Sequence, residues 1–451
     1  MTPSKEKQLL FILAAVQFCH IIDFMIIMPL GKTLMRDLDI SAQQFSLIVT
    51  IYAFMAFVAG LVSTAFIDRF DRKVALIFLF TGFTLGTLAC AFTPSYSTLL
   101  IFRGVTGAFG GTLGALVLAI VGDVIPLKRR ASAMGWVMTA FSAASVVGVP
   151  AGIYIAAEAG WRMPFIVVAI LSGVILLLVP KLVPSLRGHL SMATLAGADR
   201  RSSSELPSVI VAGSSELKSE KTPLSRDELR QSGAPVAGPT ASTPADTVRP
   251  PSAFAPFRTI FGDPNQRAAL LFTVVLMLGH FSIIPFIAPY MQLNVGFEDK
   301  EVSLIYLIGG LLTVVLLPLF GKLADRYGRM LIFSLASGLA LFSIFALTNL
   351  PSVPIWIALI VTSSFFVVAS GRSVPATTMI TSVVQPENRG SFMSIRQSFN
   401  EAALALSSFV AGFIIVEDTD GSLLHYDWVG YFAIFMSVVA IFVARRLKAV
   451  A

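Results

Sequence analysis

Charge is scarce in this chain. Asp, Glu, Lys and Arg make up 13% of its 451 residues against 55% hydrophobic ones, and the mean hydropathy is +0.81. A soluble domain carries about 25% charged residues. A chain with so few cannot cover a water-facing surface, so its solvent is lipid. Cysteine is scarcer still: Cys19 and Cys90 are the only two, both in apolar stretches. That excludes a disulfide framework and reads as two small buried hydrophobes. No cluster has metal-ligand spacing and no nucleophile–base pair is visible, so neither a metal site nor an enzyme is expected. The loop Gly-x-x-x-x-Gly-Lys-Ser/Thr is absent, so ATP is not the direct energy source. Alternating apolar and polar residues are absent too, which argues against a membrane β-barrel. The first apolar stretch is too long for a signal-peptide core and no small-residue cleavage site follows it, so it is expected to stay as a span.

What is present is a series of apolar runs, each near the roughly 20 residues a spanning helix needs. Twelve fall near 9–30, 44–66, 74–93, 98–121, 133–156, 164–183, 268–291, 302–320, 331–349, 355–380, 393–415 and 428–444. An all-α polytopic membrane protein with twelve transmembrane helices is therefore expected. The stretch 184–266 breaks the pattern. It is rich in Ser, Pro, Ala and scattered charge, and reads as a cytoplasmic, largely disordered linker. It divides a first six-helix bundle, 1–183, from a second, 267–451. A plain tether is the default for it, and a regulatory segment with phosphorylatable serines the alternative.

The net charge of +7 does not indicate nucleic acid, because of where the cations lie. With both termini on one side, the tails and even-numbered loops hold 27 of the 33 Lys and Arg. The opposite loops hold Lys32, Arg36, Arg162 and Lys300, and Arg103 and Arg372 lie inside spans. The positive-inside rule then puts both termini in the cytoplasm.

The chain also repeats itself. His20 and Pro29 recur as His280 and Pro289, and Pro126 and Arg129 recur as Pro386 and Arg389, all at an offset of 260. The loop Asp68-Arg69-Phe70-Asp71-Arg72 recurs as Asp325-Arg326-Tyr327-Gly328-Arg329 at 257. Two related membrane halves with a seam between them are the architecture of an alternating-access transporter. Rows of small residues, Gly107, Gly111 and Ala115, then Ala140, Ala144, Gly148 and Gly152, mark where helices approach closely in lipid. Pro150 should kink the fifth span.

These motifs resemble the major facilitator superfamily, and within it the twelve-helix proton-coupled efflux transporters. The family loop Gly-x-Leu-Ala-Asp-Arg-x-Gly-Arg-Lys is matched in the second half by Gly321, Leu323, Ala324, Asp325, Arg326, Gly328 and Arg329. The first half matches at Asp68, Arg69, Arg72 and Lys73 and departs at Thr64 and Asp71, where the family has glycine. Arg103 followed by Gly107 looks like the family's intramembrane arginine element. Gly148-Val149-Pro150-Ala151-Gly152 is similar to the antiporter signature of the fifth helix, with one residue between the first glycine and the proline. That variant, with His-Ile-Ile-Asp23, Pro29 and Trp161-Arg162, resembles bacterial permeases of the arabinose-efflux type for sugars and drugs.

The resemblance implies two pseudo-symmetric six-helix bundles, with spans 1, 4, 7 and 10 around a central cavity. Intramembrane ionisable groups cost about 2.5–3.5 kcal/mol each on insertion scales, so they face a cavity or a partner. Asp23 and Arg103 sit at similar depth in spans 1 and 4. Burial favours the neutral acid and a guanidinium favours the carboxylate, so Asp23 is the expected proton-coupling acid and Arg103 its counter-charge. A fixed structural pair is the alternative. His20 shares the Asp23 face and is assigned to the same function. His280, Arg372, Phe24, Phe109 and Phe281 are assigned to the substrate cavity, although Arg372 has the alternative of snorkelling to the interface. Glu401, about a turn below Arg396 and next to Asn400, is expected to form an internal ion pair, with a second proton site as the alternative. Asp68, Arg69, Arg72, Asp325, Arg326 and Arg329 are assigned to a cytoplasmic gate, with a carboxylate gaining from a helix N-terminus and from arginine partners.

The expected function is proton-coupled efflux of a small organic solute, such as a drug or sugar, by alternating access. The alternatives are a proton-linked or facilitative importer, and a transport-inactive sensor or scaffold. The proton gradient takes the place of any cofactor. The expected partners are a small-molecule substrate, protons and the lipid bilayer, with no nucleic acid. The chain is expected to be a monomer in a bacterial inner membrane.

Overall fold

The computed structural model describes residues 3–63, 70–185, 260–385 and 389–448. Most of the expected linker therefore lies outside the described residues, as do Asp68, Arg69 and Pro386. The first half runs α1 (Pro3–Ile26), α2 (Gly31–Leu38), α3 (Ala42–Ser63), α4 (Arg72–Ala91), α5 (Tyr96–Val124), α6 (Leu127–Ala143), α7 (Val149–Ala159) and α8 (Met163–Leu182). The second runs α9 (Pro264–Phe281), α10 (Ile284–Tyr290), α11 (Asp299–Tyr327), α12 (Arg329–Thr348), α13 (Ile355–Thr381), α14 (Arg389–Ile414) and α15 (Tyr426–Ala444). A two-stranded antiparallel hairpin, β1 (Val416–Glu417) and β2 (Leu423–Leu424), precedes α15.

Eleven spans among the described residues are long and apolar enough to cross a membrane, with α6–α7 and α9–α10 each counting as one. The twelfth is α14. Its 26 residues give the length, but Gln397, Asn400 and Glu401 interrupt its apolar run. The helix starts follow capping rules. Asp71 accepts from the Lys73 N–H, Ser95 and Thr98 form a capping box, and Asp263 accepts from the Asn265 N–H ahead of Pro264. The last cap starts α9 at Pro264. Proline shapes the interiors. α1 stops at Ile26, short of the expected 30, because Pro29 cannot continue it; α9 likewise breaks at Ser282, ahead of Pro285 and Pro289. Pro150 is met by a π-helical turn, Ala144–Gly148, that joins α6 to α7. Such a turn accommodates the hydrogen bond that proline removes.

Both chain ends lie on one side, here the terminal side. Glu6 and Arg129 pair there through two 3.0 Å contacts, and Asn265 exchanges hydrogen bonds of 2.6 and 3.0 Å with the backbone of Lys448. On the far side a single apolar core joins the two halves, with Ile26, Phe45 and Trp161 packed in it with Phe286, Tyr306 and Tyr426. Two ion pairs bridge the halves at that end, Lys32–Asp299 at 3.7 Å and Lys300–Glu158 at 2.5 Å. On the terminal side the large cores are separate, one around Leu13, Phe80 and Val117 and one around Phe272, Phe333 and Ile380. The seam is carried by α3 against α14, where Gly60 faces Ser398 and Gly412 faces Ser46, and by α11 against the π-turn, where Gly310 meets Ser145 and Val146. The molecule is thus sealed at the far side, while the apolar cores part toward the termini.

Candidate functional site

The break at Pro29 sets up the site. With α1 ending at Ile26, the carbonyl of Asp23 is among the last four that have no helical partner. Arg103 supplies one. Its Nη1 donates to the Asp23 backbone oxygen at 3.3 Å and to the carboxylate Oδ2 at 2.9 Å. Thr87 donates to Oδ1 at 3.0 Å, and the Tyr52 ring lies 4.3 Å from the guanidinium carbon. Both members of the pair are 0% exposed. A single buried pair in a bilayer stands only where each charge offsets the other.

Glycines in α5 admit this arrangement. A Cβ at Gly107 would run into the Tyr52 backbone, and one at Gly111 would lie 2.7 Å from the Ala56 Cα. The close α3–α5 contact brings Tyr52 over Arg103. One turn further, a Cβ at Gly110 would stand 2.5 Å from the Tyr52 hydroxyl and 2.9 Å from the His20 ring. His20, Gln17 and Tyr52 therefore converge beside the ion pair. Gln17 Oε1, His20 Nδ1, Tyr52 OH, and Arg103 Nε and Nη2 are all buried without a hydrogen-bond partner among the described residues. Buried polar atoms are normally satisfied, and so many together mark a place where groups are exchanged rather than fixed.

At the seam Phe24 lies 5.5 Å from Tyr52, and Phe24 and Phe281 both pack on Ala53, Leu404 and Ala405. Those two phenylalanines thus line the junction of the halves. Phe109 does not, which corrects the expectation: its ring fills the space over Gly82 and lies 5.8 Å from Phe78, inside the first half. His280 sits 6.0 Å from Phe365 in a stacked geometry and 5.0 Å from Phe281. Arg372 departs from both expectations. It is 0% exposed, wedged between α9 and α15, and donates to Ser437 Oγ at 2.8 Å and the Gly279 carbonyl at 3.4 Å. It neither lines the seam nor reaches the interface, because two backbone-proximal acceptors hold it within its own bundle.

Glu401 also departs. Its partner is Gln397, whose amide donates to Oε1 at 2.8 Å, and it makes no ion pair with Arg396 among the described residues. A helix offset of five residues turns Arg396 to another face. In the gate, Arg72 pairs with Asp123 at 2.9 Å. Asp325 lies in the last turn of α11, so the expected N-terminal stabilisation belongs instead to Asp71, the α4 cap. Asp325, Arg326 and Arg329 are exposed, and Arg326 lies 5.3 Å from the Tyr327 ring. Gly148 and Gly152 in the helix 5 element receive Ile22 and Ile26 of α1, and Pro150 follows the π-turn. The polar contributions of Gln17, Tyr52, Thr87, Asp123 and Gln397 had no motif to announce them; their one signal was a polar residue inside an apolar run.

The model of the Major Facilitator Superfamily matches residues 13–371 and 269–450. The chain belongs to that superfamily. It is a multi-pass membrane protein of a family whose members transport small molecules. It is 32% identical over 143 residues to the inner membrane transport protein YdhP of Escherichia coli, a match spanning 31% of the chain and 37% of that protein. It is 29% identical to a probable sugar efflux transporter of Mannheimia succiniciproducens over 31% of the chain and 35% of the relative. Among solved structures, the D-xylose-proton symporter superposes with a TM-score of 0.67 over 100% of both chains at 15% identity. The superfamily fold accounts for the two halves and the seam between them.

Proposed function

We propose that this transporter exports a small organic solute in exchange for protons, with Asp23 as the acid that takes and releases the proton and Arg103 as its counter-charge. One observation carries the reading: a fully buried carboxylate–guanidinium pair, bordered by several polar atoms without partners, beside the seam. Protonating Asp23 would release Arg103 to those atoms, and deprotonation would recapture it. Such a pair has two arrangements, as a coupling element needs. The similarity to a protein named as an efflux transporter supports the outward direction. The excess of Lys and Arg on the terminal side supports a cytoplasmic placement of both termini. With that orientation the far-side seal makes this an inward-facing arrangement, in an inner membrane and as a monomer. Drugs and sugars are the substrate classes proposed.

The energetics suffice. A proton entering down 100 mV releases about 2.3 kcal/mol and each pH unit adds about 1.4 kcal/mol. At roughly 1.4 kcal/mol per decade, one proton sustains a gradient of a neutral solute of a few hundredfold. The test uses proteoliposomes with a trapped pH dye, challenged with drugs and sugars in turn. A solute-triggered proton flux that Asp23→Asn abolishes, with solute exchange retained, is expected. Solute equilibration without proton movement in the unaltered protein would refute coupling.

A further inference from the structure

Glu401 is a carboxylate of the second half, on the length of α14 that packs against α3. The register of α14 on α3 is fixed by two contacts, Ser398 at Gly60 and Ser46 at Gly412. It places Glu401 level with Phe57. Leu404 and Ala405, one turn along the same face of α14, meet Phe24 of the first half and Phe281 of the second. The Glu401 side chain therefore has its amide partner Gln397 on one side and an aromatic pair on the other. Tyr52, 1% exposed, carries beside Gly110 and His20 a hydroxyl without a partner among the described residues, and Gln17, 9% exposed, has an amide oxygen without one.

The chemistry of this set is one-sided. Glu401 and Gln17 offer acceptor oxygens in excess of the donors around them. No cation pairs with Glu401 among the described residues. A carboxylate in low dielectric gains most from a positive partner, and aromatic faces attract the same kind of group through their quadrupole. An anionic solute would face Glu401 without compensation. We infer that Glu401, with Gln397, Tyr52, Phe24 and Phe281, forms a cross-seam subsite for an aromatic or otherwise amphipathic organic ammonium group. The site rests on the transport reading above and names its substrate class. Because both halves contribute, the subsite is complete only where they meet, and the ammonium group draws them together. One singly charged ammonium exchanged for one proton moves no net charge, so this exchange follows the pH difference alone.

The test compares three probes of one shape: 2-phenylethylammonium, 2-phenylethanol and 3-phenylpropionate. Their equilibrium binding is measured by titration calorimetry on the purified full-length protein. The expected order is ammonium, then alcohol, then carboxylate. Glu401→Gln, checked for folding by its thermal transition, is expected to weaken the ammonium at least tenfold and move the alcohol less than threefold. Should that variant not fold, Ala405→Leu, which fills the space one turn away and keeps the charge, is expected to weaken the ammonium by a similar factor. An ammonium advantage that survives Glu401→Gln, or ammonium binding that Ala405→Leu leaves as tight as before, overturns the proposal. So does a carboxylate probe that binds as tightly as the ammonium. The Asp23→Asn protein separates the two readings. It should keep the probe order while losing proton flux. Probe order without proton flux in the unaltered protein removes the coupling and leaves the subsite. Proton flux with no ammonium preference does the reverse.

Discussion

The two halves share a fold but not a charge scheme. At the offset of 260, Asp23 corresponds to Ile283, Arg103 to Ser363, and Arg372 to Thr112, while His20 and His280 correspond to each other. The first half therefore holds a buried carboxylate with a buried guanidinium. The second holds a buried guanidinium that donates to a serine hydroxyl and a backbone carbonyl and has no carboxylate partner among the described residues. The packing differs in the same way. In the first half α3 and α5 approach to backbone contact at Gly107 and Gly111; in the second, α11 and α13 are spaced by rings, with Phe366 over Gly309 and Phe320 over Gly371. At the terminal side Arg72 has Asp123, while Val383 stands where the partner of Arg329 would be. The repeat thus preserved the helices and left the buried ion pair to one half alone.

The contrast breaks most visibly at the two arginines. Arg103→Met leaves Asp23 buried alone, and removing one partner of such a pair costs about 3–5 kcal/mol. Arg372→Met removes a buried charge that has no anionic partner, and is expected to be neutral or stabilising. Thermal unfolding of both variants in detergent measures the difference, and equal losses would erase it. The paired replacement Asp23→Ile with Arg103→Ser, which gives the first half the residues of the second, is expected to fold and to lose proton flux. Next in size is the close approach. Gly107→Ala pushes against the Tyr52 backbone and is expected to cost about 1–3 kcal/mol. Gly371→Ala meets only the Phe320 ring, which can turn aside, so its unfolding temperature should fall less. Smallest is the far-side seal. Glu158→Gln breaks an exposed pair with Lys300, so its unfolding temperature should stay unchanged. A cysteine placed at buried Met28 should then react faster with a soluble maleimide, because the seal opens more often.

The helices, their number, the two halves and the Asp23–Arg103 pair were legible because each leaves a mark in the linear order. Spans are long apolar runs, the repeat is a fixed offset, and a charge inside a span stands out. The rest depended on registers between helices that no single run encodes. Phe109 and Phe24 are both aromatic on cavity-forming spans, yet Gly82 turns one inward and the seam takes the other. Glu401 was read with the charge nearest along the chain, Arg396, while helical geometry gave it Gln397 one turn away. Arg372 sits at the depth its position indicates, but the acceptors that hold it come from Gly279 and Ser437, far off in sequence. The hairpin at Val416 and Leu423 is too short to show a periodicity.

The π-turn at Ala144–Gly148 is in effect a spare residue stored in a screw thread. A π-turn closes its hydrogen bond over five residues where an α-turn closes it over four, and each residue advances an α-helix by about 100°. If that residue were released, α7 would turn as a whole about its own axis by about that angle relative to α6. Gly148 and Gly152 would leave the Ile22 and Ile26 side chains they now receive, and Val146 would leave Gly310. One residue of winding would thus loosen α7 from α1 and from α11 at once. The grip of this span on both halves is a matter of phase rather than of distance.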